Sequence, residues 1–458
     1  MATQGYSQMD HTMVKDVKSL LWGSSLKEDV FSRWTQGFVF SDAEPTALVQ
    51  HDGGPCAVLA PVQAFIIKCA LFGEGDPDIM ALKAVSNERA SSLLLEALKE
   101  ILIQMNSSEY ILVGLDRQGL QDQQTASPNR IMEAIGASST LPSEETLLIT
   151  GSRPVLKCQE SFHSSLRFYK CNSQEDLHTA MSRAMPEFQS SFGVLLYLYS
   201  ILLTKGIQQI KNEIEDPTEP LIDGIYGHGS QSLINLLLTS QATSNVWDND
   251  KEISGLKLKG IQKQSTIGFL TLLEHMRYCE VGWFFKNPKF PIWLLGSETH
   301  LTVLFSTAES LVIRESPAMH AKYVFNQFDP EGNGFISSSL LEDVMRALDL
   351  VADTEYVDIM RAKLDSEELG IITRSSFLEE FFPEQQLEQP ESFMIYHYNG
   401  LPHSCPEGKV SYIEGKAFLA EEVETQFITD MTPIKLCLQT KWPSIEIVWD
   451  SDVPPSLN

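Results

Sequence analysis

With 458 residues, 43% of them hydrophobic and 21% charged, the chain is long enough for two or three globular domains with a sizeable core. Its 34 basic and 61 acidic side chains leave a formal charge of −27, which repels phosphate backbones and anionic lipid. Nucleic acid and membrane surfaces are therefore not expected partners.

The first stretch, Met1 to Gly23, lacks the apolar core of a secretory signal, so an intracellular protein is expected, in the nucleus or the cytosol. Seven cysteines are scattered without a Cys-x-x-Cys pair, which argues against a zinc ribbon or thioredoxin-type motif and for reduced thiols. A short helix is expected to begin over Asp16–Leu21, and Arg33–Phe40 reads as a strand. The segment LVQHDGGPCAVLAPVQAFIIKCALF, Leu48 to Phe72, turns through Gly-Gly-Pro into a helix, with Pro55 at its first position and a kink at Pro61. Leu94, Leu98, Ile101 and Met105 recur at helical spacing within Ala90–Met105.

YILVGL (Tyr110–Leu115) and TLLIT (Thr146–Thr150) read as strands, separated by a stretch that opens with the polar Asp116–Arg130. Helices are expected over Ser173–Met185 and Phe188–Lys205. The most apolar run, Phe192–Ile207, falls short of the roughly 20 residues that span a bilayer and reads as a buried helix. A loop rich in Pro, Gly and Asp leads to another apolar helix, Gln231–Thr239. PIWLLGSETHLTVLF then reads strand, tight turn (Gly296 to Thr299), strand. After Ser306 the pattern changes to helix, Gly-rich acidic loop, helix over His320–Leu350, with a second helical pair over Thr354–Phe382. A linker, PEQQLEQPESF, precedes strand-like patterning from Val410 to Trp449, where IKLCLQTKWPSIEIVW alternates apolar and polar residues. The expected domains are 1–312, a helical insertion over 316–383, and strands over 390–458 that complete the first.

Cys56 is the first residue with chemical interest. At a helix start it is either a small core residue or a nucleophile whose thiolate the helix dipole favours. Gly53 and Gly54 before it would let backbone approach a substrate closely. A cysteine nucleophile needs a base. His300 has the best context among ten histidines, because Leu301, Val303 and Phe305 share the core face of their strand. His300 and Thr302 then point away from that face, toward a cleft, although a histidine at a strand start can also be incidental. Acyl transfer also needs an oxyanion donor. Gln50, six residues before Cys56, resembles in its spacing the glutamine that precedes the nucleophile of papain-like peptidases; a solvated loop residue is its other reading. Thr302 and Glu298 lie within reach as partners to orient His300, and the sequence selects neither.

Three segments carry a more specific resemblance. Gln50-x-x-x-Gly-Pro-Cys56 followed by AVLAPVQAF resembles the catalytic-cysteine segment of the MINDY family of deubiquitinases. YGHGSQSLINLLLTSQATSNVWD (Tyr226–Asp248) resembles its central block, and Thr266–Ser306 resembles its histidine segment, in the same order. The helical insertion is similar to that of the member with an EF-hand-like region. The resemblance implies an α+β cysteine isopeptidase with a papain-like arrangement, hydrolysing polyubiquitin linked through ubiquitin's lysine forty-eight by way of a thioester. It implies Cys56 as nucleophile, His300 as general base and Gln50 in the oxyanion hole, with no cofactor. The rival reading is an inactive ubiquitin-binding or EF-hand adaptor protein.

In the insertion, Asp329 at loop position one puts Glu331, Asn333 and Ser337 at positions three, five and nine, with Gly334 at the sharp turn. Position twelve is Leu340, where calcium needs a bidentate carboxylate. A metal-free EF-hand is expected, packed through Val344, Leu348 and Met360, and offering contact to the catalytic domain or a protein partner.

Overall fold

The computed structural model describes residues 7–24, 26–73, 75–116, 159–253, 255–312, 317–329, 333–383, 390–419 and 431–458. The strand expected over Thr146–Thr150 and nearly all of Asp116–Arg130 lie outside those residues. The chain divides into two units, Met1–Ala308 with Glu391–Asn458, and Glu309–Pro390.

The helix Cys56–Leu71 is the centre of the larger unit, and every residue from Cys56 to Ile67 is buried. A helix apolar all round has no solvent face to offer, so other elements must wrap it. The helices Asn87–Ile103 and Gln231–Thr239 pack on it, as does the main sheet. Pro55 takes the N-cap rather than the first helical position, and the helix continues unbroken through Pro61. Buried Gln63 on this helix accepts from the Leu48 amide at 2.7 Å and donates to the Thr46 carbonyl and the Tyr412 hydroxyl. One polar side chain in the core thereby anchors the approach to Gln50.

Two local expectations fail for identifiable reasons. Arg33–Phe40 is not a strand: a helix, Glu28–Trp34, ends inside it, and only Phe40 bridges to Leu48. Gln36 is drawn instead onto the carbonyls of Arg33 and Asp52, and the Phe38 amide onto Phe188. The first helix runs His11–Trp22, starting earlier than expected because Asp10 caps it by accepting from the Met13 amide at 2.8 Å. The helices expected over Ser173–Met185 and Phe188–Lys205 run Gln174–Phe188 and Gly193–Lys205. The second is buried along most of its length, and no helix among the described residues is long and apolar enough to cross a membrane.

A small sheet joins β1 (Ser7–Gln8), β2 (Tyr110–Leu115) and β3 (Leu166–Cys171) in the order β1-β3-β2. β4 (Lys251–Ile253) and β5 (Leu256–Leu258) pair as a hairpin. The main sheet begins with β6 (Gly268–Thr271), β7 (Ile292–Gly296) and β8 (Leu301–Phe305), the last two antiparallel with Gly296 opposite Leu301. All five β8 residues are buried, so both faces of that strand are covered, and the cleft expected on the Thr302 side is filled.

The smaller unit holds two helix–loop–helix segments: Pro317–Gln327 with Leu341–Ala347, and Thr354–Leu364 with Arg374–Phe381. Their loops pair through β9 (Phe335–Ser337) and β10 (Ile371–Thr373), with Ile336 opposite Ile372. Phe325, Val344, Met345, Met360 and Phe377 form its own core, with Leu348 packed against it. The chain then returns to the larger unit through β11 (Ser392–Tyr398), β12 (Tyr412–Leu419) and β13 (Ile445–Trp449), giving the order β13-β12-β11-β8-β7-β6. Within the span that reads as strand, Pro433–Gln439 is a helix. Its buried residues are Ile434, Lys435, Cys437 and Leu438, a helical period; the period-two pattern of Ile434, Leu436 and Leu438 is coincidental. Pro433 favours that helix because its fixed φ suits a first turn. Mostly antiparallel sheets with separate helices make an α+β arrangement.

Candidate active site

The strand β11 is what brings the loop before Cys56 and the turn before β8 together. β11 pairs with β8 through Tyr398 opposite Val303, and its end reaches the Cys56 loop. The Tyr398 hydroxyl donates to the Leu48 carbonyl at 2.6 Å, and the Gln50 amide donates to the Gly400 carbonyl at 2.8 Å. Glycine at 400 leaves room for that anchor: a methyl group would lie 2.7 Å from the Tyr398 hydroxyl, which would have to shift. Asn399, between these two anchors, meets His300, with Nε2 and Oδ1 2.9 Å apart.

This last contact decides the tautomer of His300. Asn399 Oδ1 also accepts from the Leu401 amide at 3.0 Å, while its Nδ2 donates to the carbonyl of Ser456 at 3.1 Å. The amide is therefore oriented by backbone on both sides, and its oxygen faces the imidazole. Nε2 must carry the proton, which leaves Nδ1 as the acceptor. Residues Ser456–Asn458 also bind the turn before β8: Asn458 Oδ1 accepts from Ser297 at 2.5 Å, and Leu457 is buried. Neither Thr302 nor Glu298 orients the ring. Thr302 shares a hydrogen bond with buried His397 at 2.9 Å, and Glu298 is exposed.

Cys56 and His300 are 4% and 6% exposed. Burial pushes the Cys56 thiol up to about 11, outweighing the backbone N–H groups of Leu301, Ala57 and Cys56 that favour its thiolate. The Leu301 amide among them sets the sulfur beside the start of β8. Burial likewise pushes His300 down to about 4, against the hydrogen bond that its Nε2 donates to Asn399, which favours its charged form. The helix-start amides favour the thiolate as expected, but desolvation is the larger effect, and the two shifts favour thiol and neutral imidazole at neutral pH. Gln50 is 2% exposed, and one hydrogen of its side-chain amide is given to the Asp52 carbonyl at 2.9 Å. The second hydrogen of that amide remains for another acceptor.

The close-approach expectation divides between the two glycines. Gly53 has open space around it, whereas Gly54, at φ +131°, is pressed against Trp34 Nε1 and the Gly227 carbonyl. The structure therefore brings Cys56, His300 and Gln50 into one site. It adds Asn399, which the sequence does not single out because it lies 99 positions from His300. The only local signal is an Asn-Gly pair closing an apolar strand, which reads as turn chemistry. Among the described residues no group of three or more His, Cys, Asp or Glu could hold a metal ion.

Comparison with known proteins places the chain in a family. Residues 18–327 match the family model described as the deubiquitinating enzyme MINDY-3/4 conserved domain. The human ubiquitin carboxyl-terminal hydrolase MINDY-3 is 50% identical over 457 residues, covering 97% of this chain and 99% of that protein. The Xenopus tropicalis MINDY-3 is 49% identical over 450 residues with the same coverage. The bovine probable ubiquitin carboxyl-terminal hydrolase MINDY-4 is 34% identical over 309 residues, 65% of this chain and 36% of that protein. No solved structure matches. The chain belongs to the MINDY-3/4 family of deubiquitinating enzymes.

Proposed function

We propose that the protein is a cysteine deubiquitinase that hydrolyses polyubiquitin linked through ubiquitin's lysine forty-eight, with a papain-like division of labour. The observation that supports the mechanism is the Asn399–His300 hydrogen bond, which leaves Nδ1 of His300 able to accept the proton of Cys56. The Cys56 thiol attacks the carbonyl carbon of the Gly–Lys isopeptide bond while its proton passes to Nδ1. The negative charge on the carbonyl oxygen is held by the remaining N–H of Gln50 and the backbone at the helix start. His300 returns the proton to the departing lysine amine, and water then releases the thioester and restores the thiol. The neutral resting pair suits proton transfer in step with attack.

A ubiquitin probe with a C-terminal electrophile, followed by a panel of tetraubiquitin linkages, tests the reading. Labelling at Cys56 and preferred cleavage of the lysine-forty-eight linkage are expected; a protein inert to the probe would sink it. Gln50→Ala is expected to slow kcat by about 10²-fold, the effect of losing one oxyanion donor. Cleavage at the wild-type rate would return Gln50 to a structural role beside Gly400. The six described cysteines are all free, which supports a reducing compartment, the nucleus or the cytosol.

The smaller unit reads as a pair of EF-hands that does not bind calcium. In each loop the first aspartate accepts two backbone amides: Asp329 from Asn333 and Gly334, Asp365 from Leu369 and Gly370. Gly334 and Gly370, at φ +79° and +76°, make the sharp turns. The twelfth residues are Leu340 and Ser376, and the fifth of the second loop is Leu369, so neither donor set closes around calcium. Calorimetric titration of the full chain is expected to show no binding in the micromolar range, and chain cleavage is expected to be equal with calcium or chelator. A clear isotherm would overturn the metal-free assignment.

A further inference from the structure

The loop from Asp223 to Ser230 bears directly on the site, yet none of the chemistry above uses it. Its two inner glycines bracket the nucleophile. The Gly227 carbonyl would lie 3.2 Å from a methyl group at Gly54, and a methyl at Gly229 would lie 2.3 Å from the Ala57 Cβ. His228 sits between those glycines, so it is held near the start of the helix that carries Cys56, and it is close enough to His300 to disfavour charge there. Its Nδ1 is buried with no hydrogen-bond partner. A polar atom left in that state costs free energy that a ligand group could recover.

The same loop presents apolar surface outward. Ile225 and Tyr226 are 61% and 65% exposed, and the Tyr226 ring stacks on His228 at 6.3 Å. These side chains stand on a braced backbone. Asp223 Oδ1 accepts from the Ile225 amide at 2.9 Å and the Tyr226 amide at 2.5 Å. The Asp223 amide donates to the His228 carbonyl at 2.8 Å, and the Trp34 indole to the Gly227 carbonyl at 2.9 Å. Large apolar groups exposed on a rigid loop are pre-organised to bind, because little freedom is lost on contact. Burial, with Arg33 nearby, lowers the pKa of His228, so it meets a ligand as a neutral imidazole able to donate or accept one hydrogen bond.

We propose that Tyr226 and His228 form the wall that grips the extended, glycine-ended tail of ubiquitin, His228 Nδ1 bonding a peptide group of the tail and Tyr226 packing along it. The assignment rests on the deubiquitinase reading and names the residues that hold its acyl side. The occupant must be main chain without bulky side chains near the scissile bond, since the loop closes directly over Gly54 and Ala57. A methyl group at Gly53 would meet nothing within 4 Å, so there is open space beside the turn before Cys56.

The test compares wild type, Tyr226→Ala and His228→Gln as full chains. Two rates are measured at Cys56: inactivation by the ubiquitin electrophile, and alkylation by iodoacetamide followed at the Cys56 peptide by mass spectrometry. Iodoacetamide needs no tail contact. Each variant is expected to react with the ubiquitin probe roughly tenfold more slowly, the loss expected of one good contact, through weaker saturation. Iodoacetamide alkylation should stay within about twofold of wild type, since the thiol itself is untouched. Wild-type probe rates in both variants would overturn the proposal. A parallel fall in alkylation would also overturn it, by showing that the loop merely shapes the Cys56 site. Wild-type protein that takes iodoacetamide but not the ubiquitin probe would instead overturn the deubiquitinase reading itself.

Discussion

Cys56→Ala is expected to abolish cleavage of ubiquitin chains while the protein stays folded. Without sulfur there is no thioester, and no neighbouring group can substitute: Cys405, another cysteine near this site, gives its thiol hydrogen to the Asn399 carbonyl at 3.2 Å. The fold should tolerate the change because the resting thiol is neutral, so no ion pair is broken. Alanine is also a good helix former at the first residue of the helix. Removing one buried sulfur atom costs on the order of 1 kcal/mol, well within the margin of a domain this size. Circular dichroism and thermal unfolding check the fold, and cleavage of lysine-forty-eight-linked chains checks the activity. A folded Cys56→Ala protein that still cleaves would remove Cys56 from the mechanism.

His300→Ala is expected to lower kcat roughly 10²–10⁴-fold, the range for a positioned acid–base group, with ubiquitin binding retained. Asn399→Ala should produce a lesser loss of the same kind, on the order of 10²-fold, because the ring stays but is free to turn and change tautomer. The pH dependence follows from the same burial. His300 is pushed down to about 4, so it remains an unprotonated base until pH falls toward that value. The Cys56 thiol is pushed up to about 11, so it keeps the proton it must deliver until pH rises toward that value. The kcat/KM profile is therefore expected to be flat from about pH 5 to about pH 9, with activity falling below that window as His300 gains its proton. An acid limb near the ordinary histidine value would show that the imidazole is solvated in the working enzyme.

Much of this chain is decided locally. The helix beginning at Cys56, the helix Gln231–Thr239 and the pair β7–β8 follow from apolar runs punctuated by Gly, Pro and Ser, and they lie within a residue or so of where those signals put them. Local chemistry also singles out Cys56, His300 and Gln50, since a thiol at a helix start and an imidazole at a strand start are visible in short segments. Three features needed the folded chain. Pro433–Gln439 became a helix because burial against neighbours selects the three-to-four-residue period over an equally visible alternation. Burial outweighs the helix end at Cys56 because the helix end acts over a single turn, whereas desolvation depends on everything packed around the sulfur. Asn399 meets His300 through the pairing of β11 with β8, and the loop carrying His228 is seated on Gly54 and Ala57. Contacts across a sheet join residues with no fixed spacing in the chain, so residue patterning could single out Cys56 and His300 but not the side chains that pack against them.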